Sequence, residues 1–480
     1  MRERAPAERI ARLPYYPWLV VGVTCIGAFM GQLDASIVQL ALPALRREFH
    51  ASLPAVSWVA ISYLLTYAST LPVFARLSKV FGRKLLYTIG FVVFALASAL
   101  CGVTSHLSLL IAFRLLQGVG GGLLGSNSMA ILQASAPSGE RGTAMGLYAA
   151  AQAVGISAGP IVGGLLLSTL GWRWIFWVTV PFSIAGGVLT WWIVPQSKEH
   201  VHYKRFDWGG VLSLAPALTL IVIVLSQLSS WGLESTALIA GAITVAALLL
   251  LFAWMERRQP EPLIDLRLFQ FPAFTGGLIA VSLSYALLYS VLFLMSFACI
   301  RGLDESPIVA GLHLSVLPIA LGLVAPFSGK LYERVGGRLV TTAGMAACVG
   351  AVVLMSLSLS NTASSLVRMI ALALFGIGLG VFIAPNNTAT MAAAPDNRRS
   401  EAGGLVNLMR VLGCAIGVAA ASTALTGRME KLTIIGNKTG EGPSQTVLTA
   451  VGNVLWLAAV FAIFAAIAAW LRSRDPSVRR

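Results

Sequence analysis

Asp34 stands inside the apolar stretch Gln32-Leu33-Asp34-Ala35-Ser36-Ile37-Val38-Gln39-Leu40-Ala41-Leu42-Pro43. Of the nineteen acidic residues it is the one placed well within such a stretch. A carboxylate in the middle of hydrocarbon costs about 2.5–3.5 kcal/mol on insertion scales, so it is expected to face protein, where it can exchange a proton or hold a cation. Arg114 lies about six residues inside a later apolar stretch and Asp34 about seven inside its own, counted from the same side. At equal depth the two can pair, and a proton on Asp34 or an arriving cation would loosen that pair. Two plainer readings stand beside this one: a protonated Asp34 in an interhelical hydrogen bond, and an Arg114 that snorkels to the surface. Arg410, about eight residues inside another stretch, is a second buried cation candidate, whereas Arg368, about three from an end, is expected to reach the surface. His313 could titrate near neutral pH, with hydrogen-bonded packing as the alternative. Cys25, Cys101, Cys299, Cys348 and Cys414 are odd in number and widely spaced, so they suggest neither a disulfide framework nor a metal site.

The elements that position these residues follow from composition. Hydrophobic residues make up 57% of the 480 positions and charged ones 11%, less than half of the roughly 25% charge of soluble domains. Apolar runs of about 20 residues recur, each long enough to cross about 30 Å of hydrocarbon as a helix. Fourteen are expected, near 17–41, 54–75, 84–104, 108–133, 143–168, 174–194, 209–228, 236–255, 273–297, 308–328, 338–359, 365–388, 402–425 and 447–470.

A net charge of +15 raises the question of nucleic acid. The basic residues, however, are spread over alternate short loops: with the N-terminus inside, inner segments carry 24 Lys or Arg and outer ones 7. That is the positive-inside pattern, which excludes a basic binding face and predicts both termini in the cytoplasm. Residues 1–16 lead into the first span without a small-residue cleavage site, so a retained helix is expected in place of a signal peptide.

The chain repeats itself. Pro72, Arg76, Leu77, Gly82 and Lys84 match Pro326, Lys330, Leu331, Gly336 and Arg338 at an offset of 254. Leu147, Gln152, Gly155 and Gly159 match Leu405, Arg410, Gly413 and Gly417 at an offset of 258. The fold class expected is therefore an all-α integral membrane protein with two six-helix bundles, 17–194 and 273–471. Two extra helices and their cytoplasmic linkers occupy 195–272, while 1–16 and 472–480 read as a cytoplasmic N-terminal segment and a cytoplasmic tail. A substrate cavity belongs between such halves, near the midplane. Residues 426–446 read as the longest outer loop. Gly155, Gly159, Pro160, Gly163 and Gly164 form a strip on which a neighbouring helix can pack closely, bent by the proline. Aromatic and polar candidates for the cavity are Phe29, Met30, Tyr63, Tyr67, Gln152, Tyr285, Tyr289, Asn386, Asn407 and Arg410.

Residues 33–43, Arg114 to Gly122, Gly155 to Gly164 and Trp172-Arg173-Trp174-Ile175-Phe176-Trp177 together resemble the motifs of the major facilitator superfamily, specifically its fourteen-span drug:proton antiporter family. The resemblance covers nearly the whole chain. It implies alternating-access export of amphipathic, often cationic compounds driven by inward protons. Asp34 would then serve coupling, Arg114 proton handling and the glycine strip the flexible contact of exporters. A gating loop is implied at Gly82, Arg83 and Lys84, with Glu333, Arg334, Gly336 and Arg338 in the second half. The chain departs from the family pattern at Lys79, where an acid is usual, at Val80 for arginine, and at Gln39 and Thr179 for asparagine.

No enzyme and no cofactor are expected, the proton gradient being the energy source. There is no phosphate-binding Gly-rich loop, and no nucleophile–base pair or metal cluster is recognisable within the spans. Expected partners are a small-molecule substrate, protons and membrane lipid, with a periplasmic adaptor as a further candidate in a double-membrane bacterium. The expected location is the cytoplasmic membrane. A dedicated carrier of one metabolite, siderophore or vitamin shares every motif and stays open as the alternative, with a channel or an intramembrane enzyme as remoter readings.

Overall fold

The computed structural model describes residues 12–137, 140–196, 207–231, 235–259, 262–335, 337–359, 365–395, 398–439 and 442–470. Among them are fourteen helices long and apolar enough to span a membrane. They are α1 (Tyr16–Glu48), α2 (Leu53–Phe81), α3 (Arg83–Val103), α4 (Leu107–Ser135), α5 (Arg141–Thr169), α6 (Trp174–Ile193) and α7 (Trp208–Trp231). The remainder are α8 (Thr236–Glu256), α9 (Pro272–Phe297), α10 (Pro307–Val335), α11 (Gly337–Ser358), α12 (Ser365–Ala392), α13 (Arg399–Thr439) and α14 (Pro443–Trp470). An even number of spans puts residues 12 and 470 at the same end of the bundle. That end is called proximal below and the opposite end distal.

Each span begins where the sequence stops opposing it. Ser52 caps α2 through its side chain, Pro54 occupies the first turn, and Gly82, at φ 97°, ends the helix one residue before α3 starts. One expectation is corrected here: residues 426–446 are largely not a loop, because α13 runs on to Thr439. Its last turns are polar, and helix propagation past the membrane boundary needs only one hydrogen bond per added residue.

Small residues decide how the helices pack. A side-chain carbon at Gly155 or Gly159 would meet Phe29, Gln32, Leu33, Ser36 or Ile37 of α1, so α5 lies backbone to backbone on α1. In the second half Gly413 and Gly417 of α13 lie in the same way against Ser282 and Ala286 of α9. The halves then meet at the distal end. Gly164 abuts Pro307 and Ile308, Gly311 abuts the Pro160 carbonyl, and the Ser57 and Ser422 hydroxyls are 2.7 Å apart.

Of the extra pair, α7 packs on α2 and α13, and Thr423 of α13 donates to the carbonyls of Leu225 and Ser226. By contrast α8 contacts mainly α7, and only 6% of its apolar window is buried. At the proximal end the linker after α8 is tied to the first half, where the Arg76 guanidinium donates to the Pro262 carbonyl.

Candidate functional site

Asp34 and Arg114 are both fully buried and form an ion pair, Nη1 to Oδ2 at 2.7 Å. The other carboxylate oxygen accepts from Gln117 Nε2 at 2.9 Å, and Gln117 Oε1 accepts from Arg114 Nη1 at 2.6 Å. The amide thus closes a ring with the pair. Arg114 Nε donates to the Val59 carbonyl of α2 at 2.9 Å. Gln117 also donates to Ser98 Oγ at 3.3 Å, and Ser98 lies 2.6 Å from the Thr179 hydroxyl. Five helices of the first half, α1, α2, α3, α4 and α6, therefore share one polar network in an apolar interior. Its charges balance, which is what makes burial tolerable: removing one partner of such a pair leaves an uncompensated charge and costs about 3–5 kcal/mol.

Sequence reasoning placed Asp34 and Arg114 at one depth, and the structure brings them into contact. It missed Gln117, although an amide three residues after Arg114 lies on the same helix face. Ser98 and Thr179 carried no comparable signal. Thr179, the departure from the family's asparagine, still supplies a hydroxyl to the network.

Tyr63 touches both this pair and a cavity. The Arg114 guanidinium lies 4.3 Å from the Tyr63 ring centre. Tyr63 also lines a cavity between the halves, together with Tyr67, Phe94, Tyr148, Gln152 and Arg410. Its free volume is about 20 Å³, room for about one water and far below the 300–1,000 Å³ of drug-sized sites. Arg410 crosses from α13 and donates to Asn407 Oδ1 at 2.6 and 3.1 Å, with the Tyr285 ring 5.9 Å away. Asn407 Nδ2 in turn reaches the Gly125 carbonyl of α4 at 3.5 Å.

Four cavity candidates stand elsewhere. Met30 packs on Ser183 of α6, with its sulfur 2.8 Å from that hydroxyl, and Phe29 stacks edge-on against Phe182 at 5.6 Å. Asn386 is buried and donates to the Gly277 carbonyl of α9, and Tyr289 is buried in the core. The glycine strip sits where the motif implies, joining α5 to α1 through Gly155, Gly159 and Gly163, and to α10 through Gly164 and Pro160.

The gating loop is corrected in part. Only Gly82 separates α2 from α3, and Lys84 is fully buried in the first turn of α3, where it donates to the Val194 carbonyl at 2.7 Å. Arg83 opens the same turn. In the second half Arg338 lies over the Trp470 ring at 5.4 Å and Arg334 is exposed. Gly336 and the side chain of Glu333 lie outside the described residues. Arg368 is corrected as well: it is 8% exposed and donates to Glu305 Oε1 at 3.0 Å, so it pairs within the protein instead of snorkelling. Glu305 also accepts from His313, with Nδ1 3.0 Å from Oε2.

A family model described as Major Facilitator Superfamily matches residues 24–227 and again 208–418. The chain is 32% identical over 402 residues to the riboflavin transporter RibZ of Clostridioides difficile, covering 84% of this chain and 87% of that one. It is 32% identical over 408 residues to the multidrug resistance protein Stp of Mycobacterium tuberculosis, covering 85% and 75%. In fold it is similar to the crystal structure of a bacterial homologue of the human lysosomal transporter Spinster in an inward-facing, unoccupied conformation. The TM-score is 0.66 at 14% identity, over 96% of this chain and 98% of that one.

Proposed function

Because the chain belongs to the major facilitator superfamily, and within it to the fourteen-span drug-efflux type, we propose that this membrane transporter exports amphipathic aromatic compounds in exchange for protons. The observation that carries the reading is the sealed Asp34–Arg114–Gln117 ring, with Tyr63 both against Arg114 and in the cavity lining. Charge neutrality holds the ring together. A proton on Asp34 removes the Coulomb attraction to Arg114, which then leans on Gln117 and the Val59 carbonyl and moves relative to the Tyr63 ring. A substrate pressing on Tyr63 from the cavity acts on the same arginine. Proton and substrate thereby bias one shared element, the linkage that antiport requires.

The positive-inside pattern supports a proximal end in the cytoplasm and placement in the cytoplasmic membrane. The distal contacts then close the outer side, and the tight cavity must widen before a ligand enters.

A dedicated carrier is the second reading, and one observation favours it. The charge among the described cavity residues is Arg410, a cation, alongside tyrosines and two glutamines, Gln32 and Gln152. That lining suits a neutral or anionic planar ring better than the cationic compounds the family resemblance implies. A relative named as a riboflavin transporter is consistent with it.

The test follows dye uptake into everted vesicles, with and without a proton gradient, for wild type and Asp34→Asn. Gradient-driven uptake of cationic and neutral dyes, lost in the variant, supports proton-coupled export. Equal activity of the variant removes Asp34 from coupling. Transport of a flavin with no response to any dye selects the dedicated carrier.

A further inference from the structure

We propose that Cys299, Glu305 and His313 form a binding site for a divalent transition-metal ion of the zinc class at the distal rim of the second half. A thiol sulfur, a carboxylate oxygen and an imidazole nitrogen from these residues lie within 4.8 Å of one another.

The backbone builds this convergence. Beyond Phe297, α9 widens into a π-helical turn, Ala298–Gly302, a form that recurs at functional positions. The Leu303 amide then bonds back to Ala298 and the Glu305 amide to Cys299 at 2.9 Å, with Asp304 in the left-handed region at φ 51°. That winding returns Glu305 over Cys299, and α10 begins at Pro307 and delivers His313 from its second turn.

The donor set selects the ion. Thiolate, imidazole and carboxylate together suit zinc and its neighbours and not the hard cations calcium or magnesium. Metal–ligand bonds of about 2.0–2.3 Å separate tetrahedral ligand atoms by roughly 3.3–3.7 Å, so the 3.0 Å between His313 and Glu305 needs only a few tenths of an ångström of opening. Arg368 holds Glu305 by Oε1 and leaves Oε2 for the ion, an outer hydrogen bond of the kind that orients metal-ligating carboxylates. Its positive charge is offset by the thiolate that forms when the Cys299 proton leaves to water as the metal–sulfur bond is made. Access comes from a distal cavity of about 620 Å³ that Glu305 lines together with Arg47, Glu48 and His50. Water from that cavity completes the fourth position.

The site stands independently of the transport reading, so it is tested by binding. Purified full-length protein is titrated with Co²⁺, whose thiolate complexes absorb by charge transfer. We expect one cobalt per chain with a thiolate band that Zn²⁺ abolishes. The band is lost in Cys299→Ser and kept in Cys25→Ser. In His313→Gln the affinity falls about tenfold or more, a loss at least equal to that for removing an outer partner. Each variant is first matched to wild type in elution profile and Tm. If Cys299→Ser fails that match, His313→Gln with all five cysteines intact carries the test. Absence of a thiolate band in wild type overturns the site. So does a band that survives Cys299→Ser, or an affinity unchanged in His313→Gln.

Discussion

At the scale of single residues, the polar ring makes a distinction between charge and geometry that mutation can read. Gln117→Leu keeps the ion pair but strips Asp34 Oδ1 and Ser98 of their amide partner. Leaving a buried acceptor unsatisfied costs about 1–3 kcal/mol, so we expect a lowered Tm in detergent and impaired gradient-driven transport. An unchanged Tm would mean that water replaces the amide. Arg114→Lys retains the charge yet cannot satisfy Asp34, Gln117 and the Val59 carbonyl from one planar group. We therefore expect transport to fall as far in this variant as in Arg114→Gln, measured in the same vesicles. Depth along an apolar run made Asp34 and Arg114 legible, because few charges survive there without a partner. The direction a side chain faces was less legible. Phe29 and Met30 share a span with Asp34 yet turn toward α6, a matter settled by neighbouring helices that a single run does not reveal. Counting residues from a helix end also misled at Arg368, since the π turn folds Glu305 inward to meet it.

Helix contacts follow a simpler rule, and it was written in the spacing of glycines. The four-residue repeat of Gly155 and Gly159, matched by Gly413 and Gly417, predicted close packing and recurs as α5 on α1 and α13 on α9. A methyl group at Gly155 would strike the Phe29 carbonyl, and one at Gly413 the Ser282 carbonyl, neither of which can step aside as a side chain can. Overpacking of this kind costs about 1–3 kcal/mol. Gly155→Ala and Gly413→Ala should each lower Tm, whereas Gly146→Ala, with open space around it, should leave Tm unchanged or slightly raised. Equal behaviour of all three variants would show that the strip is not a packing surface. Helix ends were harder to place. Polar composition suggested a loop at 426–446, while α13 continues to Thr439, because composition reports the solvent around a segment more directly than its backbone.

For the molecule as a whole, the internal repeat anticipated two related bundles, but not the state in which they would be found. That state rests on contacts between halves, which no pattern within one half encodes. Ser57 and Ser422 meet at 2.7 Å across the distal seam. Their replacement by cysteines places two sulfurs near bonding distance. If export alternates access, oxidation of the Ser57→Cys, Ser422→Cys pair should stop transport and reduction should restore it. Full activity of the oxidised protein would mean that this seam never opens.

Where the halves touch at Gly164, Gly311, Ser57 and Ser422, the distal seam sets glycine against backbone and hydroxyl against hydroxyl. Such forces have almost no reach: a gap of 0.5–1 Å already forfeits about a quarter to a half of a dispersion well. Charges, by contrast, act across roughly 8–10 Å at physiological ionic strength, and the seam carries them too: Arg301 of the second half lies within Coulomb range of Arg46 and Arg47 of the first. Once parted, the two halves would lose the glycine and hydroxyl contacts almost at once, while the charges of Arg301, Arg46 and Arg47 would still act across the gap. The return stroke is left to whatever occupies the cavity and to the charge on Asp34, against distal charges that the ionic strength of the outer medium screens.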